Sequence, residues 1–386
     1  MEASDRFEVA RILRQQGYTI ISCEEKASQK GDIKKLFSFF SRSVSSTDKV
    51  IFSRNLGVMV GAGLSLTRAL GVLSKQTQNK RFKKIINELE DFVNKGKMLS
   101  EAMKNYPKVF SPLFVAMVRV GEEGGRLSES LKLVADQMEK DNNLIRKIKG
   151  AMVYPSVIIV AMILIGILML VYVVPTLVST FKELNIELPA TTRAIIFFSD
   201  FFVNHFIFFI TGIIFLFSLS IWIIQTKRGK RIVADILLKI PLFSGITKKV
   251  NAARTCRTLS SLISSGVNII DSLSITQDVL QNYRYKNVLE RAKEEVQRGT
   301  LMSEIFKSNS NLYPILVGEM MAVGEETGKL SDMLLQLANF YEEEVENATK
   351  DLTTVIEPIL MVIIGGVVGF FAISMIQPMY SMMGGI

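Results

Sequence analysis

One histidine and two cysteines in 386 residues leave little from which to build a metal centre or a nucleophilic triad. His205 stands inside an apolar run, which excludes His-based metal clusters, leaves a Ser-His-Asp triad implausible, and points the ring at a neighbouring helix or the interface. Cys23 and Cys256 lie too far apart for metal-ligand spacing and read as buried apolar fillers in a reducing compartment. Charge is missing over long stretches: no charged residue stands between Lys149 and Lys182, or between Asp200 and Lys227. Acidic residues are absent at depth in every apolar run, which argues against an ion-coupled transporter. No catalytic residue, cofactor or metal is expected, and the chain is not read as an enzyme.

What is abundant is apolar. Hydrophobic residues make up 48% of the chain, with 24 Phe and 18 Met, more than a soluble protein of this size needs. The run Val153–Val174 is long enough, at roughly 1.5 Å per residue, to cross a hydrocarbon core of about 30 Å. A second run follows Asp200, and a third is centred on Ile359–Ile376. No N-terminal segment has the form of a cleavable signal peptide. Arg146, Lys147 and Lys149 precede the first run, and Lys227, Arg228, Lys230 and Arg231 follow the second, so both large polar regions are placed in the cytoplasm. The net charge of +9 gathers at these membrane flanks, which argues against nucleic-acid binding.

An internal repeat organises the chain. VGEEGGRL, Val120–Leu127, returns as VGEETGKL, Val323–Leu330, 203 positions on (324 − 121 = 203). The same offset carries Leu56 onto Leu259, Gly63 onto Gly266, Gly96 onto Gly299, Pro155 onto Pro358 and Pro175 onto Pro378. Each copy is a helical module running into a spanning helix. Apolar residues at helical spacing and turns near residues 61–65, 95–97, 107–112 and 121–125 predict about six helices per module. Two like-oriented modules on one side of a membrane require an extra crossing between them.

The expected fold class is an all-α integral membrane protein: two homologous cytoplasmic helical-bundle modules plus three transmembrane helices. The boundaries are an N-terminal lead and linker (1–48), a first module (49–150), transmembrane helix 1 (151–177) and an external loop (178–200). Transmembrane helix 2 (201–226), a second module (227–354), transmembrane helix 3 (355–378) and an external tail (379–386) follow. Within the lead, EVARILRQQGYTIISCEE predicts a helix and a short strand.

The Gly-Glu-Glu turn is the sharpest local signal. As structure it is a helix corner, with Gly121 or Gly324 ending one helix and Gly125 or Gly328 allowing positive φ. As function it displays Glu122, Glu123, Glu325 and Glu326 to a basic partner. GEETGKL is not a nucleotide loop: three residues, not four, separate its glycines, and Leu330 follows Lys329. The acidic run Glu342–Glu344 with Glu346 reads as a solvated helix face that a basic partner could also meet. Gly166, Gly365, Gly366 and Gly369 offer a small-residue face, for packing within the chain or against another helix.

FSRNLGVMVGAGLSLTRAL (Phe52–Leu70), the doubled VGEExG turn, Tyr154-Pro155 and Glu357-Pro358 opening the spans, and Gln377-Pro378-Met379 together resemble the type II secretion system F and type IV pilus platform proteins. The likeness covers nearly the whole chain. It implies a multi-pass bacterial inner-membrane platform that couples a cytoplasmic hexameric ATPase to pilin or pseudopilin assembly. It also implies contacts with other inner-membrane assembly proteins and self-association as a homo-oligomer. Family members usually carry a strand-rich lead before the EVARILRQQGYTII-like segment, so either that lead is reduced here or the start lies upstream. The rival reading is a membrane transporter or channel component, which would need polar residues facing a pathway.

Overall fold

The computed structural model describes residues 43–183 and 190–383, so the expected N-terminal helix and strand, and Cys23, lie outside the described residues. Within them the regular structure is helical throughout. The first module holds α1 (Ser46–Gly61), α2 (Leu66–Gln76), α3 (Lys80–Asn94), α4 (Leu99–Lys104), α5 (Pro112–Glu123) and α6 (Leu127–Ala151). Local sequence dictates their starts. Ser45 Oγ accepts from Asp48 N at 3.0 Å while the Asp48 carboxylate accepts from Ser45 N, a reciprocal cap. Asn79 caps α3, and Ser111 caps α5 just ahead of Pro112.

The second module repeats the plan with α12 (Pro241–Ser264), α13 (Ile269–Val279), α14 (Tyr283–Gln297), α15 (Met302–Ser308), α16 (Ile315–Thr327) and the start of α17 (Leu330–Met383). Left-handed glycines mark the same corners at the same offset: Gly63 and Gly266 (φ 89° and 90°), Gly96 and Gly299 (76° and 93°). The cores differ in chemistry. Phe52, Phe82 and Phe110 cluster in the first, ring centroids 5.3 Å apart between Phe52 and Phe82. Their counterparts are Thr255, Tyr285 and Tyr313, whose hydroxyls pair: Thr255 with Tyr313 at 3.0 Å, and Tyr285 donating to the Leu312 carbonyl at 2.9 Å. Burial of a hydroxyl demands such a partner.

Two helical runs are long and apolar enough to cross a membrane, 127–176 and 330–376. The first passes from α6 through Met152 into α7 (Val153–Leu168), a π-turn (Met169–Val173) and α8 (Val174–Glu183). The second is α17 itself. Between them lie α9 (Ala190–Asn204), α10 (Phe206–Gln225) and α11 (Lys227–Lys239).

Here the structure departs from expectation. The segment taken as external loop, 178–200, is helical on both sides of residues 184–189, because α9 buries Thr192, Ile195 and Ser199. The run taken as one span, 201–226, is broken at His205, whose φ of −120° and ψ of 25° leave the helical region. That histidine is exposed and stacks on Phe201, ring centroids 5.2 Å apart.

A single device ties α9 to both long runs. Proline lacks an N–H, so Pro175, following the π-turn, and Pro378 in α17 each deprive an earlier carbonyl of its helical donor. Those carbonyls belong to Leu170 and Ser374. Ser199 Oγ donates to the first at 2.6 Å and Thr192 Oγ1 to the second at 2.6 Å. Repeat-equivalent prolines are thus satisfied by two hydroxyls of one helix.

Candidate functional site

The duplicated acidic corner is built in the same way in both copies. α5 ends at Glu123 and the chain turns through Gly125 (φ 66°) into α6, while α16 ends at Thr327 and turns through Gly328 (φ 69°) into α17. Gly121 and Gly324 do not end their helices but lie within the last turn. They are glycine because the next helix leans on them: a Cβ on Gly121 would sit 2.5 Å from Ser130 Oγ, and one on Gly324 2.8 Å from Leu330 Cα.

The paired glutamates divide their work. Glu122 accepts from Leu99 N at 2.6 Å and Ser100 N at 2.9 Å, capping α4, whose own N-cap residue Met98 makes no side-chain cap. Glu325 does the same for α15, from Met302 N at 2.8 Å and Ser303 N at 3.1 Å. The first glutamate of each pair therefore satisfies helix-start donors that burial denies to water. Glu123 and Glu326 are exposed at the tip, with Glu123 paired to Arg119 at 2.7 Å.

A second duplicated constellation escaped the sequence reading. Arg54 on α1 meets Asp136 at 3.1 Å and Glu139 at 2.5 Å on α6. Its counterpart Arg257 on α12 meets Glu342 through one guanidinium edge, Nε and Nη2 donating to the two carboxylate oxygens at 2.9 and 2.8 Å, and Nη2 also donates to Asn339 Oδ1 at 2.5 Å on α17. The 203-residue offset relates all three pairs of positions, and testing charged residues against it would have found them. The copies differ in depth, the Arg54 side chain being 46% exposed and that of Arg257 10%. Each clamp joins the first helix of a module to the helix that enters the span.

Further polar contacts join module to module. Arg254 meets Asp141 at 2.8 Å, Ser261 Oγ donates to Gln137 at 3.1 Å, and Lys147 pairs with Glu346. The hydrogen bond from Lys147, then that from Lys350, holds the Glu346 carboxyl below its ordinary range. The acidic run is thus largely used inside the chain, Glu342 on Arg257 and Glu344 on Lys249 at 2.7 Å. Near the second module's corner, α5 and α13 face each other across a cleft of about 640 Å³ whose lining includes Arg119, Val120, Asp271 and Ile275. Cys256 is fully buried, and burial pushes its thiol up to about 12.

At the opening of the first span Tyr154 is exposed and Pro155 buried, three residues beyond Met152, where α6 gives way to α7. At the second, Glu357 is half-buried and Pro358 exposed within an unbroken α17. Between α7 and α17 lies an apolar cleft of about 470 Å³, with Met162, Gly166, Val368 and Phe371 in its wall. A Cβ placed on Gly166, Gly365, Gly366 or Gly369 would meet nothing within 4 Å, so these glycines do not close a helix pair inside this chain.

The family model described as type II secretion system (T2SS), protein F, matches residues 52–175 and again 255–378, two blocks separated by the same 203 residues. The type IV pilus assembly protein PilC of Thermus thermophilus is 34% identical over 385 residues, spanning 100% of this chain and 94% of that protein. The PilC of Myxococcus xanthus is 34% identical over 387 residues, spanning 100% and 92%. The type II secretion system protein F of Aeromonas hydrophila is 30% identical over 383 residues, spanning 98% and 97%.

Proposed function

The chain belongs to the type II secretion system protein F family, and from that premise we propose that it is the inner-membrane platform of a type IV pilus or type II secretion machine. In this role it couples a cytoplasmic hexameric assembly ATPase to polymerisation of pilins or pseudopilins, and performs no bond chemistry itself. Both modules lie in the cytoplasm, α10 supplies the third crossing, and the chain works as a homo-oligomer beside other inner-membrane assembly proteins. Glu123 and Glu326, free of capping duty, are the acidic groups left to meet a basic partner, and the apolar cleft between α7 and α17 lies where a pilin helix would pass.

The observation that carries this is continuity. In each copy the helix clamped to the module's first helix is the one that runs into the membrane, so a rotation imposed on the bundle is delivered to the span. Deleting the gene, with ATPase and pilins confirmed by immunoblot, is expected to remove surface filaments or secreted substrate. Complementation with the native gene restores them, whereas a copy carrying a flexible Gly-Ser insertion between Gly150 and Ala151 does not. Filaments and secretion that persist in the deletion strain would overturn the assignment.

A further inference from the structure

The two modules touch through unlike surfaces. The first offers the face of α5, with Val115, Arg119, Val120 and Glu123, and the second offers the corner before α13, with Val267, Asp271 and Ile275. Each surface has a counterpart 203 positions away on the other module, and those counterparts stand open. Leu113 at the start of α5 is 7% exposed and its counterpart Leu316 on α16 is 42%. Ile315 and Val323, on the same helix, are 68% and 46% exposed. On the first module's α2, Arg68 is exposed and Val72 half-covered. A contact between unlike surfaces leaves one of each kind free, and repeating it must either close a ring or run on as a fibre.

Charge has been exchanged between the two sets. At the internal contact Lys104, Arg119 and Glu123 line the α5 side, Arg119 being paired with Glu123 at 2.7 Å, and Asp271 lies opposite, with Asp278 further along the same stripe of α13. At the open counterparts Arg119 becomes Ala322, Ala116 becomes Glu319, and Glu326 keeps the acid of Glu123. Lys307 remains basic, but its ammonium is taken by Glu319 at 2.9 Å. Opposite, Asp271 and Asp278 become Arg68 and Lys75. The open α16 face therefore carries an excess of acid, and at the open α2 corner Arg68 and Lys75 outnumber the one carboxylate there, that of Glu90 against Gly71, the reverse of the internal contact. Like modules repel: α5 against a second α2 corner sets base on base, and α16 against a second α13 corner sets acid on acid. Only alternation of first and second modules satisfies both contacts, and such sign patterns select partners by excluding wrong ones.

We propose that two copies of the chain associate by the contact each already makes internally. The α16 face of one chain receives the α1–α2 corner of the other, twice, to close a ring of four alternating modules. The proposal deepens the homo-oligomer role above by naming its surface, and it rests on both modules facing the same compartment.

Val72 and Val323 are the counterparts of Ile275 and Val120, which line the internal cleft. In a Cys23→Ser background that retains the buried Cys256, Val72→Cys and Val323→Cys are placed on separate, differently tagged full-length chains, co-expressed and oxidised in native membranes. Mixed pairs are expected to cross-link at least about tenfold more than either like pair. Arg68→Glu is expected to lower that yield about tenfold, and Glu319→Lys in the partner to restore it. Equal yields from mixed and like pairs, or a yield indifferent to Arg68→Glu, would overturn the proposal, as would a monomeric mass for the native chain. An impermeant maleimide applied to intact spheroplasts separately tests the shared compartment. Cross-links without filaments would sink the platform assignment alone, and filaments without cross-links this contact alone.

Discussion

Replacing Glu325 by alanine removes the acceptor of two backbone N–H groups at the start of α15, held at 2.8 and 3.1 Å. Met302 and Ser303 are almost wholly buried, and the N-cap residue Leu301 makes no side-chain cap, so no protein group replaces the carboxylate. Loss of one N-cap acceptor costs about 0.5–2 kcal/mol, and a hydrogen bond to a charged group about 1.5–3 kcal/mol. The two bonds share one acceptor and water enters the vacated space, so their costs do not sum; about 2–3 kcal/mol is expected for Glu325→Ala. Glu325→Gln keeps one carbonyl oxygen and loses about 1 kcal/mol. Glu326→Ala, one residue on but exposed, should stay within about 0.5 kcal/mol of the native protein. At roughly 2–4 °C per kcal/mol, the alanine variants separate by about 5–10 °C in thermal unfolding of the full chain in detergent. Glu122→Ala and Glu123→Ala should repeat the contrast. Equal shifts for Glu325→Ala and Glu326→Ala would refute the capping role.

The two arginine clamps should differ: Arg257→Ala strands a carboxylate whose side chain is 19% exposed and is expected to cost about 2–4 kcal/mol, whereas Arg54→Ala, at an exposed pair screened by water, is expected to cost clearly less, read by chemical denaturation. Thr192→Val and Ser199→Ala each leave a buried carbonyl without its donor and should lower thermal stability by about 1–2 kcal/mol, with Pro378→Ala relieving the first and Pro175→Ala the second. Glu346 has a folded pKa depressed below the ordinary 4.5, so its contribution is fully present above that value and is lost as pH falls through the folded one. Protease protection of the module junction should therefore hold from pH 8 to about 5 and decline below about 4.5, and Lys147→Met should remove that part of the decline.

Much of this was legible because duplication turns one chain into its own comparison. The offset found in Gly121 and Gly324 also relates the capping glutamates, the arginine clamps and the span prolines. Of the three apolar runs expected to span, two form helices long and apolar enough to cross a membrane, because length against bilayer thickness is a one-dimensional question. What stayed hidden was three-dimensional. Glu122 and Glu123 are adjacent in sequence, and only the position of α4 decides that one turns inward to Leu99 N while the other stays at the tip. The helicity of α9 was missed for the same reason. The segment was expected as a loop only from its place between two apolar runs, whereas Thr192 and Ser199 are buried where distant prolines leave carbonyls that need them.

The two long helices are fastened to each other at both ends of their apolar stretches. On the module side Lys147 of α6 pairs with Glu346 of α17, and on the far side α9 hydrogen-bonds to both runs. Between these fastenings the helices stand apart around an apolar cleft. A pair of rods joined at both ends shears far less readily than it tilts as a unit, so a torque on either module is shared by both spans. The lever is long: the 54 residues of α17 extend roughly 80 Å, and a tilt of about 5° moves its far end by about 7 Å, comparable to the rise of a helical turn. The copies are unequal as levers, since the first passes through a turn at Met152 while the second runs unbroken past Pro358. In the proposed role both modules move their own spans, the second through an unbroken helix and the first through the turn at Met152, and the cross-ties keep the two in step. Lys147→Met with Thr192→Val is expected to leave each module joined to its span but to reduce filament assembly, counted by electron microscopy; unchanged assembly would refute the role of the ties.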